Sequence, residues 1–112
     1  MSDPYRVQPR LDPADAEPGG VSAEAFSALF RTVPAHLTDT DDPLIANEIR
    51  ASHAFAAVTE YSQNSGTYSN ESVWTSMSDL LNDMRHLCDM LGIDWDAVSR
   101  PYHYEAEISE EQ

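Results

Sequence analysis

The chain has 112 residues, of which 20 are acidic and 6 basic, and its formal net charge is -14. All six basic residues are arginines. Direct binding to nucleic-acid phosphates or to an anionic membrane needs a cationic surface, so this charge balance excludes both. A GC-rich genome or life at high salt would produce the same composition without any partner.

The length and the apolar content predict one domain inside the cell. About 150 residues per domain is typical, which makes one domain of this chain. No apolar run reaches the ~18 residues of a membrane span, and we expect no secretion signal because the first residues lack a basic and then apolar stretch. The single Cys88 cannot form an internal disulfide, which favours a reducing cytoplasm.

The chain divides into an arm, a helical domain and a tail. Residues 1–20 contain four prolines and two glycines without apolar periodicity, which predicts an extended, mobile arm. The helical domain is expected over residues 21–101. Residues 102–112 contain four glutamates and are interpreted as an acidic tail.

A first helix is predicted after Ser22, a favourable N-cap residue. Its apolar residues recur at i, i+3, i+4 and i+7, which places them on one face: Phe26, Leu29, Phe30 and Val33. Pro34 should end this helix, because the residue before a proline avoids the helical conformation.

A second helix is predicted from an Asp42 cap and Pro43 in the first turn to about Ser62. Its apolar stripe contains Leu44, Ala51, Phe55 and Val58. Alanines along this segment favour helix and allow close approach of a neighbouring helix.

The third helix has the clearest pattern. Ser69 or Asn70 is expected to cap it, it should span residues 71–91, and Gly92 should end it. Its apolar residues fall in an arc of roughly 140°, which suits a bundle core: Trp74, Met77, Leu80, Leu81, Met84, Leu87, Cys88 and Leu91.

A short fourth helix should follow an Asp94 cap and stop before Pro101. Together these segments predict an all-α fold, a small bundle of three main helices and a short fourth. Trp74 and Trp95 belong either to the core of this bundle or to the contact with a second subunit, so a homodimer is an open alternative.

The polar side of the third helix is the candidate site. Asp79, Asp83 and His86 are spaced i, i+4 and i+7 and project to one side, away from the apolar arc. Such a pattern occurs on ordinary solvated helix faces. It could also bind a divalent cation, with His53 and Glu60 of the second helix nearby.

Three segments resemble small hypothetical proteins of phages, prophages and plasmids from GC-rich bacteria. They are SDLLNDMRHLCD over residues 78–89, GIDW over residues 92–95 and HYEAE over residues 103–107. The likeness covers about residues 51–107, including an alanine-rich helix that ends in Tyr61. It implies a mobile-element context and no particular mechanism.

The third helix and the glycine after it are also similar to all-alpha nucleotide pyrophosphohydrolases, more weakly. Those enzymes bind magnesium through a glutamate cluster on one helix and a Glu-x-x-Asp pair on the next. Asp79 matches the aspartate of the pair, but Ser76 occupies the glutamate position and residues 51–61 contain only one acid, Glu60. The resemblance therefore implies a lost catalytic site, or magnesium ligation by Asp79 and Asp83 if activity persists.

We predict a non-enzymatic, acidic interaction protein without a cofactor, which binds a host or viral protein. Its carboxylates could stand in for phosphates in the groove of a cationic nucleic-acid-binding protein. The expected partner-binding residues are Asp79, Asp83, His86, Asp89, Asp94 and Asp96. The alternatives are the magnesium-dependent pyrophosphohydrolase, with Asp79 and Asp83 as ligands, and a virion or scaffold component.

Overall fold

A computed structural model of the chain describes residues 3–29, 36–101 and 103–109. These ranges contain five α-helices and two short 3-10 turns, without a strand. The helices are α1 (Ala23–Leu29), α2 (Pro43–Ser65), α3 (Val73–Leu91), α4 (Trp95–Val98) and α5 (Tyr104–Ile108). The predicted all-α class is confirmed.

Helix α1 begins after the predicted cap, since the Ser22 hydroxyl accepts a hydrogen bond of 3.1 Å from the amide of Ala25. The Phe26 ring packs edge-on against Phe55 of α2, with 5.0 Å between ring centroids. This aromatic contact docks α1 on α2. The predicted end of the helix at Pro34 lies outside the described residues, as do Phe30 and Val33.

Helix α2 begins as predicted. The Asp42 carboxylate accepts hydrogen bonds from the amides of Leu44 and Ile45, at 2.9 and 3.3 Å. The helix continues three residues beyond the predicted end at Ser62, because the residue that stops it is Gly66, with a left-handed φ of 79°.

Helix α3 ends at Gly92 as predicted, but its N-cap is Ser72 and not Ser69 or Asn70. The Ser72 hydroxyl accepts a hydrogen bond of 3.1 Å from the amide of Thr75. Ser72 forms an isolated antiparallel bridge with Ser22. This pairing holds Ser72 extended, so the helix can begin only at the next residue.

The two ends of the described chain meet on α2. The buried Asn47 donates hydrogen bonds from Nδ2 to the carbonyl oxygens of Tyr5 and Glu107, at 2.8 and 3.0 Å. Tyr5 in turn donates its amide to the carbonyl of Ile108 over 3.2 Å. Helix α5 thus lies inside the segment interpreted as an acidic tail, and its Ile108 is buried. The mobility of residues 1–20 remains a prediction.

The apolar arc of α3 is open to solvent, which contradicts its expected place in a bundle core. Cys88 is the one residue of the predicted arc that is buried, whereas Trp74, Met77 and Leu81 are about half exposed. The physical reason is that no element within residues 3–29, 36–101 and 103–109 covers the whole arc: α2 is in contact with α3 but leaves these side chains exposed, and α4 has only four residues.

Candidate functional site

Asp79, Asp83 and His86 lie along one side of α3 as predicted, and all three are exposed. Met90 continues the same line one turn further, at i+11 from Asp79, and its side chain is 82% exposed. We call these four residues the acidic stripe. The sequence interpretation missed Met90, although the spacing of 11 residues, about three helical turns, would have found it.

Asp83 is fixed in place by the neighbouring helix. The Tyr61 hydroxyl donates a hydrogen bond of 2.5 Å to one carboxylate oxygen of Asp83, and the Asn82 amide donates to the other over 3.3 Å. These donors hold the pKa of Asp83 below its usual range, the Tyr61 bond contributing most. The same bond, with burial, raises the pKa of Tyr61 to about 12. Asp83 is therefore ionised at neutral pH.

The remaining predicted partner-binding residues are not on the stripe. Asp89 is exposed but follows Asp79 by ten residues, which turns it about 80° away. Asp94 is the N-cap of α4 and accepts a hydrogen bond of 3.1 Å from the amide of Ala97. Asp96 is exposed in the first turn of α4. The structure thus brings together three of the six predicted residues on one side of a helix.

The alternative magnesium site gains no geometric support. Among the described residues, no group of three histidine, cysteine, aspartate or glutamate side chains could hold a metal ion. His53 and Glu60 are both exposed on α2. Ser76, which occupies the glutamate position of the pyrophosphohydrolase pair, is completely buried. Its hydroxyl has no hydrogen-bond partner in the described part of the chain. Ligation by Asp79 and Asp83 remains a prediction.

The opposite side of α3 is apolar. Trp74, Met77, Leu81 and Met84, which we call the apolar face, are 47%, 51%, 53% and 43% exposed. Their mean direction lies about 170° around the helix from the acidic stripe. At the N-terminal half of α3 the face opens into a groove of about 380 Å³, lined among others by Phe26, Phe55, Val58 and Val73.

Three arginines pair with acids that lie outside the acidic stripe. They are the pairs Arg6–Asp3, Arg10–Glu48 and Arg50–Glu107, at 2.7, 2.6 and 3.0 Å. These three arginines therefore pair with acids of the arm, of α2 and of α5, and none of the three pairs involves Asp79 or Asp83. The stripe on α3 keeps its negative charge.

Comparison with protein families, with curated proteins and with solved structures finds no match for this chain. None of the helices in the described ranges is long and apolar enough to cross a membrane. Functional inference therefore depends on the surfaces of α3.

Proposed function

We propose that this chain is a non-enzymatic interaction protein that binds a cationic protein partner through the acidic stripe of α3. The observation that carries the proposal is Met90, a large apolar side chain left 82% exposed in line with Asp79, Asp83 and His86. Protein interfaces commonly combine an apolar anchor with a polar rim. The stripe has both components.

The charge of the stripe supports a cationic partner. The chain has a net charge of -14, and the hydrogen bond from Tyr61 favours the ionised form of Asp83. Attraction between opposite potentials accelerates association and weakens as salt is added. Binding through this surface should therefore be fast and salt-sensitive.

The partner class that fits best is a nucleic-acid-binding protein of the host or of a virus. Such proteins carry cationic grooves for phosphates, and exposed carboxylates one helical turn apart present a similar series of negative charges. The likeness to phage and plasmid proteins supports the same setting. Nucleic acid should then compete with this chain for its partner.

The proposal is tested with purified cationic nucleic-acid-binding proteins from the host, titrated at low and rising salt. A stripe variant combines Asp79→Asn and Asp83→Asn, the two carboxylates of the acidic stripe. A control variant combines Asp12→Asn and Asp41→Asn, which removes the same charge from exposed positions elsewhere. We expect the stripe variant to bind at least about tenfold more weakly and the control variant to lose much less. Absence of binding to every target at low salt would refute the proposal.

The anchor is tested separately. Met90→Ala should weaken binding to the same targets, because it removes the apolar centre of the contact. Leu29→Ala is the matched control, since Leu29 is also strongly exposed, at 69%, but belongs to α1. Equal effects of the two substitutions would place the contact elsewhere.

A further inference from the structure

The chain exposes more surface than a folded monomer of its mass. Its accessible surface is 8035 Å², whereas a monomer of 12.5 kDa exposes about 6200 Å². Its radius of gyration is 15.3 Å, against about 13 Å for a compact chain of this length. The surplus of about 1800 Å² falls within the roughly 1000–2500 Å² that each chain buries in an obligate homodimer.

The apolar face of α3 holds four of the thirteen large apolar side chains that are exposed in the described ranges, and it adjoins the groove. The described residues bury only four apolar side chains: Ala23, Val58, Cys88 and Ile108. The groove walls are almost wholly apolar, with Phe55 on one side and Trp74 on the other. Covering such a face with another apolar surface removes it from water and lowers the free energy.

We propose that a second copy of this chain covers the apolar face, giving a two-fold symmetric dimer in which the two α3 helices pack antiparallel. The groove lies at the N-terminal half of α3, beside Trp74 and Met77, and Leu81 and Met84 project further along the same face. A two-fold axis across the middle of α3 brings the projecting residues of each copy to the groove of the other. Isologous interfaces require this self-complementarity.

The charges on α3 are compatible with this pairing. Arg85 is exposed and lies about 60° around the helix from the mean direction of the apolar face, so its guanidinium can stay in water at the edge of the contact. Asp79 and Asp83 lie on the far side. The dimer therefore turns its two acidic stripes outward and presents the proposed partner-binding surface twice. The dimer does not depend on that function.

The test is the mass of the full chain in solution, measured by light scattering or sedimentation over a range of concentrations. We expect twice the monomer mass of 12.5 kDa for the wild type. Leu81→Asp should weaken the dimer more than about tenfold, because it places a charge in the apolar contact. Met90→Asp is the control, since it adds the same charge on the opposite side of α3, and it should remain dimeric. A monomeric wild type, or loss of the dimer only in Met90→Asp, would overturn the proposal.

A second measurement applies even if Leu81→Asp fails to fold. In a Trp95→Phe background, Trp74 is the only tryptophan. Dilution should shift its emission to longer wavelength as the dimer dissociates and the indole becomes wet. Emission that stays unchanged across the concentration range would contradict the assignment of Trp74 to the contact.

Salt separates this proposal from the proposed function. Two chains of charge -14 repel each other, so added salt should strengthen the dimer by screening that repulsion. The same salt should weaken binding to a cationic partner. Weakening of the dimer by salt would contradict the apolar contact and would leave the acidic stripe proposal intact.

Discussion

The hydroxyl of Tyr61 and the carboxylate of Asp83 form a 2.5 Å hydrogen bond that joins α2 to α3 beside the acidic stripe. The bond fixes one carboxylate of the proposed partner-binding surface relative to the helix behind it. A charged acceptor makes such a bond stronger than one between neutral groups. The contact therefore contributes both to the packing of the two longest helices and to the charge of the stripe.

Tyr61→Phe should raise the pKa of Asp83 toward its ordinary value, because the carboxylate loses its main donor. Titration of the aspartate carboxyl signals by NMR measures this change. Tyr68→Phe is the control: it removes a hydroxyl that contacts the Ser27 hydroxyl at 2.9 Å, and should leave Asp83 unaffected. An unchanged Asp83 titration in Tyr61→Phe would show that the bond is not formed in solution.

The same pair predicts how stability depends on pH. The pKa of Asp83 is lowered by folding, so its contribution is present above about pH 4 and is lost as pH falls through the folded value. The pKa of Tyr61 is raised to about 12, so the contribution of the hydroxyl is lost as pH rises from the ordinary value to that pH. The free energies of unfolding in urea of wild type and Tyr61→Phe should differ most at neutral pH. The difference should shrink toward both acidic and strongly alkaline pH. A constant difference would contradict the linkage.

Ser76→Ala should leave the free energy of unfolding unchanged or raise it, since the buried hydroxyl has no partner among the described residues. Ser76→Leu should lower it by about 1–3 kcal/mol, because the larger side chain overfills the buried position on α3. Chemical denaturation measures both. Ser78→Ala, at an exposed position two residues away, should change stability by less than about 0.5 kcal/mol. A clear loss in Ser76→Ala would indicate a hydrogen bond to that hydroxyl.

Asn47→Ala should destabilise the protein by about 1–3 kcal/mol, because two carbonyl groups lose their shared donor. Protease cleavage should accelerate at both ends of the chain, since the amide holds Tyr5 and Glu107 on α2. Asn64→Ala, exposed near the end of α2, is the control. Faster cleavage at one end only would mean that the two segments are held independently.

Ile108→Ala should lower the free energy of unfolding by about 2–4 kcal/mol, because the side chain is 3% exposed in the structure. Val98→Ala is a suitable comparison, since that apolar residue of α4 is 53% exposed and its truncation should cost much less. Thermal unfolding measures the difference. Equal and small effects would support the interpretation of residues 102–112 as a tail.

Local signals in the sequence predicted the helix ends that depend on local contacts. The caps at Ser22, Asp42 and Asp94 bond to amides two or three residues away, so the residue types alone point to them. The cap of α3 was predicted wrongly because a distant partner, Ser22, holds Ser72 extended. Helix α5 was missed because what holds it in place includes a bond to Asn47, 60 residues earlier.

The same distinction applies to the candidate site. Helical spacing was enough to place Asp79, Asp83 and His86 on one side of α3. It could not reveal the bond to Tyr61, because that bond depends on the packing of α2 against α3. Nor could it distinguish an apolar face covered by the chain's own helices from one left open, since both require the same periodic pattern.

The bond between the amide of Tyr5 and the carbonyl of Ile108 also makes the chain suited to circular permutation. A short linker can join residue 109 to residue 3 without crossing the molecule, since these positions flank the same contact. New ends placed between Gly66 and Ser72 would leave all five helices uninterrupted. A probe fused to either new end of this permutant would lie beside the α2–α3 turn and away from the Asn47 contact.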